Sequence, residues 1–373
     1  MEISSKEKEF VAQSELFVDI ELKQMGLSRL DEIPNMAGKA SKIIEPTIIK
    51  DYKHIPEAQK LLLREAYYSP DGVAYFIILN PDSPPESSHP LFDISGQLRD
   101  VLPLKYALPH PLEKHPRDFG EPDGTVKVYD VGKSIEDGYR EQGETSDAFL
   151  LHSDGLGSGG TVETAFLYCD SPPMWGGFTY FQNICRLSLE LARDDPEAFR
   201  LLFLPDAITI LRPRGKGALK VICPVLYVNE AGRPQSGYRK ASGEYVVKWR
   251  SGAPALRRAE EFFDQRTREF SPGSSFIHFS AAGQCCLIRN EVVGHGRTRF
   301  INSPDSSRKR CLSRKWFMRR PEDAFYKHVP GISILSRYAD LYPGQFGPDL
   351  LSGEWLYDPD QDRNVLRVPG AER

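Results

Sequence analysis

The feature that most constrains the fold of this chain is a succession of short, β-rich apolar segments that begins near residue 71. Clusters of Gly, Pro, Asn and Asp separate these segments, which is the pattern of strands joined by turns. The strand candidates are residues 73–79, 125–129, 148–151, 162–168, 207–211, 218–228, 245–249, 275–279 and 285–288. Few βαβ units are visible, so the pattern predicts a mainly β sandwich or barrel with peripheral helices.

Helical spacing of apolar residues is confined to a few segments. It occurs in residues 14–25 and 58–67, and again in residues 183–194 and 255–270. We therefore predict three regions: residues 1–70 as an N-terminal helical extension packed on the core, residues 71–320 as the β domain with helical insertions, and residues 321–373 as a C-terminal extension that contributes to a substrate pocket.

Charge and hydropathy exclude several functional classes. The 373 residues carry 48 Lys and Arg against 52 Asp and Glu, a net charge of −4 that gives no general attraction to nucleic acid or to anionic membranes. The charged start lacks the apolar core of a signal peptide, and no stretch approaches the roughly 18 apolar residues of a membrane span. We expect a cytoplasmic protein with a small-molecule substrate and no nucleic-acid or membrane partner; a homo-oligomer is left open.

The cysteines predict neither disulfides nor a zinc cluster. All six lack the CxxC spacing, and most lie in apolar surroundings such as those of Cys169. Buried, reduced thiols are the prediction.

The segment His152-Ser153-Asp154 follows an apolar strand candidate and precedes a glycine-rich turn. In an extended chain, residues two apart point the same way, so His152 and Asp154 can both reach one metal ion. Eight histidines, each with a 52 in 373 chance of an acid two positions on, give about one such pair by accident. The pair therefore indicates a metal site only if a third ligand accompanies it.

His295 is the candidate third ligand, because a strand and an Asn-containing bend lead into His295-Gly296-Arg297. Two histidines and one carboxylate leave one face of an octahedral ion open, the arrangement that suits non-haem iron(II) and dioxygen. A zinc-dependent hydrolase with the same ligands and a bound water is the alternative. A non-catalytic jelly-roll binding protein is a third, disfavoured by the complete ligand set.

Several short motifs in this order resemble one enzyme family. They are the His152/Asp154 pair, residues 176–179 (Gly-Gly-Phe-Thr), residues 290–297 with the His-Gly-Arg, and residues 310–316. Over roughly residues 71–317 the chain resembles the TauD/TfdA-like branch of the Fe(II)- and 2-oxoglutarate-dependent oxygenases, which includes the taurine dioxygenases and the relatives of clavaminate synthase.

This resemblance implies a double-stranded β-helix (jelly-roll) core, iron(II) as the metal, and 2-oxoglutarate and dioxygen as cosubstrates. It implies that Arg310 and the Thr179 hydroxyl hold the far carboxylate of 2-oxoglutarate, with Arg308 as the competing arginine. For Arg314, contact with the cosubstrate, contact with an acidic group of the substrate, and pairing with a core carboxylate stay open. Arg297 is interpreted as a structural arginine and Asn290 as a turn former.

The predicted reaction is oxidation of a small molecule with release of succinate and carbon dioxide. Hydroxylation is the default outcome, with desaturation or cyclisation as alternatives. The resemblance implies a carboxylate- or amine-bearing substrate, such as an amino acid or an intermediate of specialised metabolism. Residues 131–143, 155–161 and 338–346 are the segments predicted to shape its pocket.

Overall fold

A computed structural model describes residues 5–108, 125–132, 143, 145–156, 162–214, 217–229, 231–242, 245–305, 308–318, 354–358 and 363–367. The helices are α1 (Ser5–Gln24), α2 (Glu57–Tyr68), α3 (Pro90–Leu98), α4 (Ile184–Asp194), α5 (Pro196–Leu201) and α6 (Pro254–Arg266), and single 3-10 turns lie at Leu30–Glu32 and Met36–Gly38. The strands are β1 (Lys42–Ile43), β2 (Thr47–Ile49), β3 (Val73–Ile78), β4 (Tyr106–Leu108), β5 (Val126–Tyr129), β6 (Phe149–His152), β7 (Thr164–Ser171), β8 (Trp175–Gly176), β9 (Thr179–Asn183), β10 (Ile208–Arg214), β11 (Gly217–Cys223), β12 (Leu226–Val228), β13 (Pro234–Ser236), β14 (Val246–Trp249), β15 (Ser275–Ile277), β16 (Gln284–Arg289), β17 (Val293–Arg297), β18 (Phe300–Ile301), β19 (Cys311–Met318), β20 (Glu354–Asp358) and β21 (Arg363–Arg367).

Two sheets dominate the structure. The smaller has the strand order β1-β15-β9-β17-β6, and the larger has the order β2-β3-β16-β7-β19-β4, with β5 also paired to β19. Pairing within both is antiparallel except at β1–β15 and β2–β3. Mostly antiparallel sheets with helices at the periphery are the mainly β architecture that the sequence predicts.

Alternating side chains of β7 explain how the core is divided. Ala165 and Leu167 belong to a hydrophobic cluster shared with buried residues of the smaller sheet, such as Phe181. Phe166 and Tyr168 point the other way, into a second cluster that includes residues of α2 and α3. The larger sheet is therefore covered on both faces, and its inner face meets the smaller sheet.

The N-terminal region contributes both helices and strands. Phe17 of α1 packs edge-on against Phe199 and Phe203, at centroid distances of 6.0 and 5.4 Å. The predicted helical segments correspond to α1 and α2, but the region also supplies β1 and β2, which extend the two main sheets by parallel pairing. The boundary near residue 70 stays a prediction, as does the one near residue 320.

Two elements differ from the sequence prediction for identifiable reasons. The sequence predicts one strand over residues 218–228, but Pro224 separates β11 from β12 because proline cannot donate a ladder hydrogen bond.

The sequence predicts one helix over residues 255–270, but α6 ends at Arg266. The Thr267 hydroxyl there donates to the Phe263 carbonyl at 2.6 Å, and Phe270 has a φ of +53° that no helix accommodates.

The predicted thiol state is confirmed: all six cysteines are free, and only Cys311 is not buried. Burial raises the pKa of the Cys223 thiol to about 12.

Among the helices that the structure describes, none has the length and apolar character needed to cross a bilayer.

Candidate metal centre

His152 and His295 face each other across two neighbouring strands. Their Cα atoms are direct partners in the antiparallel pair of β6 and β17, so both side chains lie on the same face of the sheet. The centroids of the two imidazole rings are 4.5 Å apart. This register brings together two histidines that are far apart in the sequence.

Asp154 completes the group. Its Oδ1 lies 3.4 Å from Nε2 of His152, and its Oδ2 lies 3.8 Å from Nε2 of His295. All three residues are buried, and one ligand atom from each lies within 4.8 Å of the others. The structure therefore brings together the three metal-ligand candidates named from the sequence.

The protonation of these groups follows from burial and neighbouring charge. His152 Nδ1 lies 2.9 Å from the Leu150 carbonyl oxygen, so Nδ1 carries the proton and Nε2 presents its lone pair. Burial lowers the pKa of His152 and lowers that of His295 to about 3, with the other imidazole and nearby arginines adding to the second shift. Both imidazoles are therefore neutral at pH 7.

Asp154 is held in its ionised form. Burial alone would raise the pKa of this carboxyl, but the nearby Arg314 guanidinium outweighs that effect and keeps its pKa well below the usual range. Two neutral imidazole nitrogens and one carboxylate are a suitable donor set for a divalent first-row metal. The residues present therefore fit the predicted ion.

Asn290 fixes the loop that carries Asp154. Its Oδ1 accepts from the Asp154 N–H at 2.7 Å, and its Nδ2 donates to the carbonyls of Asp154 and Val162 at 3.0 and 2.8 Å. The side chain is buried. The sequence predicts only a turn former here, because the local sequence around an asparagine that bonds to a distant loop looks the same as that around an asparagine that forms a turn.

Replacing Asn290 with alanine is expected to destabilise the protein by at least about 2 kcal/mol, since buried backbone groups on both sides of the metal loop lose their partners. Urea unfolding followed by circular dichroism measures this. Asn35→Ala is the matched control, because Asn35 is exposed and makes one cap hydrogen bond to the Ala37 N–H. Equal losses in the two variants would contradict the role assigned to Asn290.

Alternate residues of β19 point at the metal ligands. Trp316 Nε1 donates to Asp154 Oδ2 at 2.8 Å. Arg314 Nη1 lies 3.8 Å from Asp154 Oδ1, and its guanidinium lies 5.1 Å from the centre of the Trp316 ring. Arg314 thus pairs with a core carboxylate, one of the three roles left open for it, and that carboxylate belongs to a metal-ligand candidate. Its contact with the cosubstrate or with the substrate stays a prediction. Trp316 was not identified as a site residue from the sequence.

Arg310 is a fully buried cation with unused donors. Its side chain is 1% exposed, and its Nε and Nη1 have no hydrogen-bond partner in the described part of the chain. Burial lowers the pKa of Arg310 to about 10, which leaves it protonated at pH 7. A buried charge without a partner is costly, so this fork is suited to receive an anion. Arg308, the competing candidate, is exposed.

Arg310 and Arg297 both lie against the ring of Phe300. The Arg310 guanidinium lies 4.9 Å from the centre of this ring, and that of Arg297 lies 4.7 Å from it. Arg297 follows His295 by two residues on β17 and therefore shares its face. Nη2 of Arg297 donates to the carbonyls of Thr145 and Asp147, which agrees with the structural role predicted for this arginine.

Thr179 lies on the same face of the smaller sheet. It is the direct antiparallel partner of Arg297 between β9 and β17, and it is buried. The preceding glycines are required by the backbone: Gly176 and Gly177 both have a φ of +72°, and a Cβ at Gly176 would lie 2.4 Å from the Arg299 carbonyl oxygen. These glycines therefore let the segment before Thr179 pass close to the backbone of residues 299–300.

Some predicted pocket segments are only partly described. Residues 133–142, 157–161 and 338–346 lie outside the described residues, so the predicted pocket functions of these segments stay predictions. Residues 155–156, which are described, form the start of the glycine-rich turn, where Gly155 has a φ of +75°.

Solved structures define the class of this fold. The chain aligns with the non-haem iron oxygenase OrfP in complex with Fe at a TM-score of 0.52 and 14% identity, covering 92% of this chain and 97% of that one. It aligns with asparagine oxygenase, in complex with Fe(II), 2S,3S-3-hydroxyasparagine and succinate, at a TM-score of 0.51 and 14% identity, covering 88% and 97%. The fold is that of the non-haem iron oxygenases, and the resemblance predicted from the sequence is confirmed at this level.

A curated relative gives a more particular similarity. The chain is 35% identical over 184 residues to uridine-5'-phosphate dioxygenase from Streptomyces sp. The alignment covers 48% of this chain and 64% of the relative, so the chain spans less than two thirds of the length of the curated relative it matches. No protein-family profile matches the chain.

Proposed function

We propose that this chain is an Fe(II)- and 2-oxoglutarate-dependent oxygenase whose two main sheets form a double-stranded β-helix. His152, Asp154 and His295 would hold the iron, and the open face of the ion would accept the cosubstrates. Iron(II), with 2-oxoglutarate and dioxygen, supplies the oxidising power for attack on an unactivated C–H bond, and succinate and carbon dioxide are released. The similarity to a dioxygenase and to iron oxygenase structures supports this assignment.

The observation that carries the proposal is the unpaired guanidinium of Arg310. Its Nε and Nη1 have no partner among the described residues, so at least one donor is free on each bidentate edge of the planar guanidinium, and its burial excludes water that would compete for these donors. Thr179 lies across from Arg297 on the adjacent strand, with a hydroxyl that can supply a further hydrogen bond. Arg310 and Thr179 would bind the far carboxylate of 2-oxoglutarate and so orient its keto acid end toward the metal ligands.

The arrangement around Asp154 serves the same reaction. Arg314 helps to keep this carboxylate ionised, and the hydrogen bond from Trp316 fixes its orientation, so it is ready to bind a cation without moving. A zinc-dependent hydrolase is the second candidate, because it can use the same three ligands with a bound water. A hydrolase has no need of the buried Arg310 fork, which favours the oxygenase.

Adding iron(II) and 2-oxoglutarate to the metal-free protein under anaerobic conditions is expected to produce a weak visible charge-transfer band. The band depends on both additions, since it arises from a keto acid that chelates the metal. Zinc(II) in place of iron(II) is the control and gives no band. A protein that binds iron stoichiometrically but shows no band with 2-oxoglutarate would contradict the oxygenase proposal and favour the hydrolase.

The substrate proposal is a small carboxylate-, amine- or phosphate-bearing molecule. The carboxylate or amine follows from the family resemblance, and the phosphate from the name of the curated relative. Substrate-stimulated release of succinate, screened over amino acids and nucleoside 5'-phosphates, identifies the class that this chain oxidises.

A further inference from the structure

A short segment after β13 lies beside the metal ligands on the free edge of β6. The Ser153 N–H donates to the Tyr238 carbonyl at 3.1 Å, and the Lys240 N–H donates to the Leu151 carbonyl at 2.8 Å. Between these two bonds, Arg239 and His152 are direct antiparallel partners. Direct partners on antiparallel strands extend their side chains from the same face, so Arg239 leaves the backbone on the side of the metal ligands.

The guanidinium of Arg239 is fixed between two aromatic rings. It lies 3.4 Å from the centre of the Tyr245 ring and 5.6 Å from that of Phe149, which itself stacks on His152 at 4.0 Å. Arg239 is 7% exposed, and its Nε and Nη2 have no hydrogen-bond partner among the described residues. Stacking orients the planar fork but leaves its in-plane donors unused.

Charge distinguishes this arginine from its neighbours. Arg297 donates to backbone carbonyls and Arg314 pairs with Asp154. Arg239 is left as a buried cation that no described carboxylate pairs with, and such a group is stabilised when an anion binds to it.

We infer that Arg239 is a substrate-binding residue that holds an anionic group, a phosphate or a carboxylate, of the molecule to be oxidised. The inference rests on the proposed oxygenase function and specifies its substrate as an anion. The position of Arg239 opposite His152 sets that anionic group next to the metal ligands, so the oxidised carbon lies within a few bonds of it. Tyr245 holds the guanidinium in place and is a positioning residue.

The test uses anaerobic protein loaded with iron(II) and 2-oxoglutarate, so that the metal and Arg310 are already occupied. Thermal unfolding is followed with inorganic phosphate, acetate or chloride at equal ionic strength, because a ligand that binds the folded state raises Tm. Phosphate or acetate is expected to raise Tm above the chloride value, and the anion that does so identifies the substrate group. In Arg239→Ala the apparent affinity for that anion falls about 10- to 100-fold, and Arg239→Lys retains part of it.

Arg250→Ala is the matched control, because Arg250 is half-exposed and pairs with Asp206 at 2.9 Å. It should respond to anions as the unsubstituted protein does. The inference is overturned if neither anion exceeds chloride, or if Arg239→Ala and Arg239→Lys, both folded by circular dichroism, keep the full response. The visible band of iron and 2-oxoglutarate, recorded on the same samples, separates the two proposals: its presence without an anion response refutes only the role of Arg239, whereas its absence refutes the oxygenase.

Discussion

His295→Ala is expected to abolish substrate-dependent succinate release, with a loss greater than about 100-fold. Losing only a hydrogen bond to a metal ligand costs roughly 10- to 100-fold in affinity or activity, and this change removes the ligand itself. The imidazole is neutral and buried, and its Nε2 faces Asp154, so no other described group can take its place. Bound iron, measured by elemental analysis after gel filtration, should fall in parallel with activity.

The control for this variant is His54→Ala, since the side chain of His54 is 83% exposed and His54 is not one of the metal-ligand candidates. His54→Ala should keep both iron and activity. The His295→Ala variant is expected to fold, because β17 pairs with β9 and β6 through its backbone and keeps those hydrogen bonds. Circular dichroism checks that it does. A folded His295→Ala protein with full iron content and full activity would remove the basis for the metal site.

Arg310→Ala is expected to raise the KM for 2-oxoglutarate about 100-fold. The fork is replaced by a methyl group, and the cosubstrate carboxylate then lies in a buried site without its counter-charge. Because iron binding does not involve Arg310, the variant should still take up one iron per chain. Steady-state kinetics at varied 2-oxoglutarate, with iron content measured on the same preparation, give both quantities.

Two further variants sharpen the assignment of Arg310. Arg308→Ala changes the exposed arginine two residues away and should leave the KM for 2-oxoglutarate unchanged. Arg310→Lys keeps the charge but not the planar fork, so its KM should lie between those of Arg310→Ala and the unsubstituted protein. If Arg308→Ala raised the KM while Arg310→Ala did not, the cosubstrate arginine would have been assigned to the wrong residue.

The sequence predicted the metal-ligand candidates better than it predicted their surroundings. His152 and Asp154 follow from the two-residue period of an extended chain, and His295 from the motif it lies in. Their direct contact depends on the pairing of β6 with β17, and strand register is decided by tertiary packing that local patterns do not encode.

The missed residues share a different cause. Arg239 lies between strand candidates, where an arginine is by default assigned to the surface, and only its pairing with His152 reveals its position. Trp316 and Asn290 contact Asp154 from strands and turns far along the chain. Contacts of this kind are set by which strands become neighbours, and residue type alone does not indicate them.

The direct pairing of His152 with His295 makes ion affinity a measure of strand alignment. A slip of one residue between β6 and β17 would turn one imidazole to the opposite side of the sheet and leave at most two donors on the correct side. Chains with the wrong register would therefore bind divalent ions weakly. Chains with the correct register bind the ion, which stabilises them and prevents their return to the misaligned state. Refolding in the presence of iron(II) or a redox-inert substitute should accordingly increase the yield of correctly paired protein.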